Sequence, residues 1–318
     1  MKIVGMVPVY NEADIIKELL THLINQGIDP VVLDSGSTDG TYEICQRFLE
    51  KGKIKLEQYV SNKFEWATAL RKLYDMALLE SPDWVIHSDA DEFLESYENN
   101  MDLKNAILQV DSEGYNLIQF NVFNFFMTKN DPISENSIKK RMLYYSFHFD
   151  FVFRAWKIYP GILPELKGGH IPVFPSDLKY KVWPKKFVLR HYQFRDKIQA
   201  LKRINERIER ISETPELKTG WHVHYNEIKN YSFSDPVDHS ILQKYEGDNN
   251  WNLEYKFSFN PTTKEMKFVI PEDGVIKPPP TYHELLVLVN RLRKEIQELN
   301  DVRNKKGWRD VWEGIKKK

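Results

Sequence analysis

Three carboxylates stand together in Asp89-Ala90-Asp91-Glu92, directly after the apolar run Trp84-Val85-Ile86-His87. A buried strand that ends in acids with no basic residue beside them in sequence is a natural place to hold a divalent cation. On extended backbone the side chains at i and i+2 point the same way. Asp89 and Asp91 can therefore work as a pair, one ligating Mn²⁺ or Mg²⁺ and the other holding a ribose hydroxyl. A cation there would act as the Lewis acid for a departing nucleoside diphosphate. The competing reading is a solvated acidic turn, which a chain with 46 acidic residues can produce by chance.

A second polar stretch, Asp34-Ser35-Gly36-Ser37-Thr38-Asp39-Gly40-Thr41, also follows an apolar run. Its two glycines permit a tight turn, and Asp34 and Asp39 are acceptors suited to the edge of a base and to ribose hydroxyls. Helix capping by Asp39 or Thr38 accounts for one of these acids and leaves Asp34 unexplained.

These stretches need a frame. Residues 2–9 read as a buried strand, and from Glu12 to Gln26 the spacing of Ile15, Leu19, Leu23 and Ile24 turns helical, with Gly27 as a stop. The cycle repeats with strands at 30–33, 54–60 and 84–87 and helices at 42–49 and 66–79. Short apolar strands alternating with amphipathic helices predict a doubly wound, mostly parallel α/β sheet. Ligands of such sheets bind beyond the carboxyl ends of the strands, which puts residues 8–12, 34–39 and 89–92 on one rim.

After Asn100 the alternation is expected to stop. Residues 115–126 and 147–158 read as aromatic strands, 130–141 as turn-rich, 187–192 as a last core strand, and Ile198, Leu201, Ile204, Ile208 and Ile211 as the stripe of an amphipathic helix. Pro278-Pro279-Pro280 is a linker signal. Beyond it the spacing of Tyr282, Leu285, Val289, Leu292, Ile296 and Leu299 suggests a coiled-coil seam, hence self-association through residues 281–302. From Arg303 onward seven basic residues face two acidic ones, with Trp308, Val311, Trp312 and Ile315 on one helical face. That face suits an anionic bilayer or packing against protein. The expected division is a catalytic α/β domain over 1–215, a mixed extension over 216–277 and a helical tail over 278–318.

The 318 residues carry a formal net charge of −1, which gives no overall attraction for nucleic acid. The one cysteine, Cys45, excludes an internal disulfide and a multi-cysteine zinc site, and its helical setting with Ile44, Phe48 and Leu49 predicts a buried, inert thiol. Without an apolar run of about 18 residues or a signal-peptide pattern, the expected location is cytoplasmic, peripheral at the inner face of the membrane if the tail binds lipid. The 18 Phe, 16 Tyr and 8 Trp serve either a carbohydrate-facing surface or a ring-rich core.

Val7-Pro8-Val9-Tyr10-Asn11-Glu12, Asp34-Ser35-Gly36-Ser37-Thr38-Asp39-Gly40-Thr41 and Asp89-Ala90-Asp91-Glu92-Phe93, in this order and spacing, resemble a family 2 glycosyltransferase of the GT-A fold. The resemblance implies that Pro8, Tyr10 and Glu12 border the nucleotide, that Asp34 and Asp39 contact base and ribose, that Asp89 holds the ribose and Asp91 the metal. It further implies a histidine ligand on a late strand, for which His191 is preferred over His170. Arg71 is the nearest match to an arginine at the diphosphate, although the usual glycine and Ala-Arg-Asn pattern is replaced by Phe64 to Lys72. The Gln-x-x-Arg-Trp signature of processive synthases is absent, which favours transfer of single sugars.

By that resemblance the donor is a nucleotide-sugar, with UDP preferred, and the acceptor is a glycan, a lipid-linked sugar or a protein. Inverting transfer needs a carboxylate base, for which Glu165 and Asp150 are the candidates. Lys139, Lys140 and Arg141 are either a diphosphate clamp or a solvated charge run. The rival readings are a noncatalytic scaffold that keeps the fold, and a nucleotidyltransferase, which would need a glycine-rich basic loop where Pro8 to Glu12 stand.

Overall fold

In the computed structural model of the chain, seven consecutive buried residues, Ile3–Val9, form strand β1 inside the main sheet. The structure describes residues 1–61, 65–132, 134–167, 171–175, 178–211, 236–237, 239–247, 251, 258–260 and 265–267. β1 carries no polar alternation because both of its faces are covered. Ile3, Val7 and Val9 join one hydrophobic cluster, and Val4 and Met6 join the other.

From β1 the chain runs through α1 (Ile16–Asn25), β2 (Asp29–Asp34), α2 (Thr41–Glu50), β3 (Lys55–Gln58), α3 (Trp66–Leu79) and β4 (Trp84–His87). These strands lie parallel in the order β3-β2-β1-β4. Helix α1 buries Ile16, Leu19, Leu20 and Leu23, each worth about 1.5–3 kcal/mol when fully removed from water. It ends at Gly27, whose φ of 74° is the left-handed conformation that glycine adopts without cost.

The second half is more regular than its sequence suggests. The acidic run leads at once into β5 (Glu92–Glu95), and the expected irregular stretch contains α4 (Leu103–Ser112). Asp102 caps α4 by accepting the Asn105 N–H at 2.7 Å, and Leu103, Ala106, Ile107 and Val110 face the core. There follow β6 (Leu117–Phe126), α5 (Ile138–Arg141), β7 (Tyr144–Lys157), β8 (Glu165–Lys167), β9 (Ile171–Val173), β10 (Phe187–His191) and α6 (Lys197–Ile211). Short pieces β11 (Gln243–Lys244), β12 (Ser258–Asn260) and β13 (Glu265–Lys267) come last.

The sheet continues from β4 as β7-β6-β10-β5, with β7 antiparallel to β4 and β6, β10 parallel to β6, and β5 antiparallel to β10. Parallel pairing therefore dominates the first half, and the second half is mixed. The register of β10 sets His191 beside Glu92 on β5 and Asn124 on β6. That is how a late histidine arrives beside the acidic run.

The rings after residue 115 go largely into the core: Phe120, Phe123, Phe153, Trp156, Phe187 and Tyr192 are buried. Tyr192 stacks on Phe125 at 4.7 Å and meets Phe93 edge-on at 5.5 Å, the offset and T-shaped geometries that aromatic quadrupoles favour. Cys45 is buried as expected, and burial pushes its thiol up to about 12. All described residues belong to one compact unit, Met1–Val269. The boundary expected at 215, His170, the seam over 281–302 and the basic tail lie outside the described residues. Among the described residues, no helix is long and apolar enough to cross a membrane.

One core group sets a pH limit on the fold. The His22 Nε2–H donates to the Leu94 carbonyl at 2.8 Å, and Nδ1 faces the Lys139 ammonium at 3.3 Å, so the ring is held neutral. Burial, with Lys139 second, lowers His22 from 6.5 to about 4. The unfolded chain then binds a proton between these values that the folded chain does not, so stability falls as pH drops from about 6.5 to about 4. The loss integrates to roughly 3 kcal/mol. Urea unfolding across this range should show the slope in the native protein and a flatter one in His22→Gln.

Candidate functional site

Asn11 closes β1 with φ of 53°, a left-handed conformation that asparagine tolerates better than most residues. That turn aims its side chain at the next loop, where Oδ1 accepts the Thr38 N–H at 2.8 Å while the Asn11 N–H donates to Ser37 Oγ at 3.0 Å. The Glu12 N–H donates to Thr41 Oγ1 at 2.8 Å, and the Ala13 N–H to Asp39 Oδ2 at 3.1 Å. The loops after β1 and β2 are thus one hydrogen-bonded unit, as the rim argument expects.

Within it the two acids divide. Asp39 accepts the Thr41 N–H at 3.0 Å and the Thr41 hydroxyl at 2.6 Å on one oxygen and Ala13 on the other. Its carboxylate ties the start of α2 to the β1 loop from the residue before the cap; the N-cap position itself is Gly40, so neither Asp39 nor Thr38 is the helix cap. Asp34 is fully buried, and its Oδ1 accepts from the Gly36 and Ser37 N–H groups, both at 3.0 Å, and from Gln58 Nε2 at 3.2 Å. Its Oδ2 is buried with no hydrogen-bond partner among the described residues. A buried carboxylate oxygen left that way calls for a donor from outside.

The acidic run is held by groups that the sequence did not single out. Arg154, fully buried on β7, donates to Glu92 Oε1 and stands 3.3 Å from Asp89 Oδ2. His87 Nδ1 lies 3.2 Å from the same guanidinium, and Nε2 lies 3.3 Å from Asp89 Oδ1. Asp89 keeps a side-chain exposure of 29%, which leaves it the outward-facing acid of the run. Burial raises the Glu92 carboxyl, with Arg154 opposing.

Asp91 points the other way, into protein. Its Oδ2 lies 3.5 Å from His191 Nε2 and 2.6 Å from Arg203 Nη2, the latter off the hydrogen-bonding axis. His191 Nδ1 is 2.8 Å from Asn124 Oδ1, which fixes the ring and turns Nε2 toward the carboxylate. Burial would raise Asp91, but Arg203 and then His191 hold it well below the usual carboxylate range. Two ligating atoms aimed at one buried point fit a cation whose other positions are filled by phosphate oxygens and water, as magnesium and manganese prefer. Among the described residues no group of three or more His, Cys, Asp or Glu side chains is arranged for a metal, so these two side chains alone would supply only a minor part of an octahedral shell.

Glu12 completes the rim. Arg195 Nη2 meets its Oε2 at 2.6 Å and Arg203 Nη1 its Oε1 at 2.9 Å, while Arg195 also grips Asp14 at 2.6 Å and 2.9 Å. Burial still raises the Glu12 carboxyl. Both arginines come from the segment that opens and forms α6, so this helix lies over the ends of β1 and β4.

Pro8 is buried in β1 and Tyr10 is half-buried at its end. Arg71 lies on α3, where it pairs with Asp75 one turn on at 3.1 Å and stays 46% exposed. Glu165 opens β8, is exposed, and belongs to a strand that leans on α3. Asp150 lies in β7, but its side chain is outside the described residues. Lys139 turns to His22, Glu95 and the Phe93 ring, so it is neither a solvated charge nor aimed at the rim acids.

Residues 6–159 match the family model described as Glycosyl transferase family 2. Over 90 residues the chain is 33% identical to the "Uncharacterized protein MJ0544" of Methanocaldococcus jannaschii, a stretch that is 28% of this chain and 39% of that protein. The chain therefore matches about two fifths of that relative's length. Among solved structures, S. aureus TarS 1-349 in complex with UDP aligns at 26% identity over 44% of this chain and 40% of that one, with a TM-score of 0.30. Another structure of S. aureus TarS 1-349 aligns at 17% identity over 72% and 69%, with a TM-score of 0.35.

Proposed function

We propose, from the match of residues 6–159 to the glycosyl transferase family 2 model, that the protein transfers a single sugar from a nucleotide-sugar donor to an acceptor. The observation that carries this reading is the joined rim, where Asp34 Oδ2 has no hydrogen-bond partner among the described residues and Asp91 and His191 converge. Asp34 accepts hydrogen bonds only, which suits the imide N–H of uracil and favours a UDP donor. Asp89, held by Arg154 and His87 yet outward-facing, takes the ribose. Pro8 and Tyr10 line the nucleotide's approach.

Asp91 and His191 would hold Mn²⁺ or Mg²⁺, which when bound supplies electrostatic stabilisation to the leaving diphosphate. Asn124 keeps the His191 ring turned to that point. Transfer with inversion would need a base facing the acceptor hydroxyl, and Asp150 and Glu165 are the residues proposed. Glycan, lipid-linked and protein acceptors are proposed on the same footing, as are membrane contact through the basic tail and self-association through 281–302.

A panel of nucleotide-sugars scored for metal-dependent release of nucleotide tests the reading. A UDP-sugar should be turned over with Mn²⁺ or Mg²⁺ and not with chelator. Calorimetry showing no binding of UDP, with or without Mn²⁺, would overturn it.

A further inference from the structure

Arg203 stands where the proposed cation would. Its side chain is 10% exposed, and its guanidinium reaches Asp91 Oδ2 at 2.6 Å and Glu12 Oε1 at 2.9 Å. The carboxylate assigned to the cation thus already has a counter-ion, supplied by α6. The setting is buried: the side chain of Asp91 is 2% exposed and that of Glu12 10%. A divalent ion arriving alone would share one carboxylate oxygen with a guanidinium, and in a buried, weakly screened place that repulsion is strong.

A diphosphate changes the balance. The guanidinium fork matches phosphate oxygens in a bidentate manner, and a charge-assisted pair of this kind is among the stronger polar contacts. Arg195, which holds Glu12 Oε2 at 2.6 Å independently of Arg203, keeps Glu12 neutralised if Arg203 leaves. Asp91 would then be the acid that loses its counter-ion, with His191 Nε2 beside it at 3.5 Å. Glu206, one turn along α6, accepts from Asn11 Nδ2 at 2.8 Å, so the helix stays attached to the β1 turn while one side chain changes partner.

We propose, resting on the nucleotide-sugar reading above, that Arg203 is an exchangeable counter-ion. It neutralises Asp91 and Glu12 in the empty protein and moves to the diphosphate as the donor loads, so that a divalent cation binds Asp91 only together with nucleotide. Metal and nucleotide binding are therefore coupled through one side chain, and the coupling is reciprocal.

The test is Mn²⁺ binding, followed by its EPR signal, to the full chain and to Arg203→Gln with and without UDP. The full chain should bind Mn²⁺ at least tenfold more weakly without UDP than with it. Arg203→Gln should bind Mn²⁺ without UDP at least tenfold more tightly than the native chain does, gain less from UDP than the native chain gains, and melt at a higher temperature when Mn²⁺ alone is added. Equal Mn²⁺ affinity of the two proteins without UDP would overturn the exchange while leaving the glycosyltransferase reading intact, provided the native chain binds UDP and Mn²⁺ together. If the native chain binds neither in any combination, both fall. Should Arg203→Gln fail to fold, Arg203→Lys keeps a charge but not the fork across both acids. Its Mn²⁺ affinity without UDP should exceed the native value, and no gain would overturn the proposal.

Discussion

Asp91→Asn should lower sugar transfer by about a thousandfold while leaving a folded protein. The substitution keeps the size of the side chain and removes the charge on the atom that faces His191 Nε2 at 3.5 Å. A loss of that size corresponds to roughly 4 kcal/mol of transition-state stabilisation, the scale associated with removing an electrostatic contact to a developing anion. The fall should appear in kcat more than in KM, since a cation on the leaving diphosphate acts most as charge develops. Asp89→Asn is the control. Asp89 is the partly exposed acid assigned to the ribose, so its loss should raise KM about tenfold with a smaller change in kcat. Steady-state kinetics with the donor found in the panel measures both, and a fully active Asp91→Asn would remove Asp91 from the mechanism.

Stability should respond less to Asp91→Asn than activity does. Arg203 would keep Glu12 as a partner at 2.9 Å, so no buried guanidinium is left without a carboxylate. Unfolding in denaturant separates the two effects, because a folded but inactive variant has an unchanged m-value.

The rim was legible because its parts are local. An apolar run followed by Asp34 or by Asp89 to Glu92 states in one stretch that a buried strand ends in polar groups, and helical spacing between such runs implies that the strands lie parallel. Helix α4 is equally local, with Asp102 before Leu103, Ala106, Ile107 and Val110, but it lies between segments without a regular alternation that would frame it. What holds the acids was not local. Arg154 meets Glu92 across 62 positions and Arg203 meets Glu12 across 191, and those meetings follow from the sheet order, in which β7 enters beside β4. One signal was available: Arg154 interrupts the apolar run Phe151-Val152-Phe153-Arg154-Ala155-Trp156, so its charge had to be matched inside the protein. Helix α6 shows the limit of periodicity. Its apolar stripe predicts burial of Ile198 and Leu201, yet these are 81% and 46% exposed, while Ala200 and Ile204 are buried. The helix is turned so that Arg203 and Glu206 face the rim, where they meet Asp91, Glu12 and Asn11.

Arg195→Met should destabilise the fold by about 3–5 kcal/mol, the cost of removing one partner from a buried charge cluster. The Arg195 side chain is fully buried, and besides Glu12 and Asp14 its Nη1 donates to the Tyr192 carbonyl at 3.0 Å. Its loss leaves the Tyr192 carbonyl without that donor, Glu12 with Arg203 alone and Asp14 to solvent, at the point where β10 turns toward α6. Arg195→Lys should recover only part of the loss, because one ammonium cannot span both acids as the fork does. Adding Glu12→Gln to Arg195→Met should be less damaging than the two single losses summed, since it removes a buried charge left with one guanidinium in place of two. The pH dependence has a definite sign. Burial already raises Glu12, and without Arg195 it rises further. A carboxyl whose folded pKa lies above its unfolded value gains stability as pH falls through the raised value, so the deficit of Arg195→Met relative to the native protein should narrow toward acid pH. A deficit that is constant with pH, or a double variant as unstable as the sum, would mean that Arg195 acts by packing and not by neutralising Glu12.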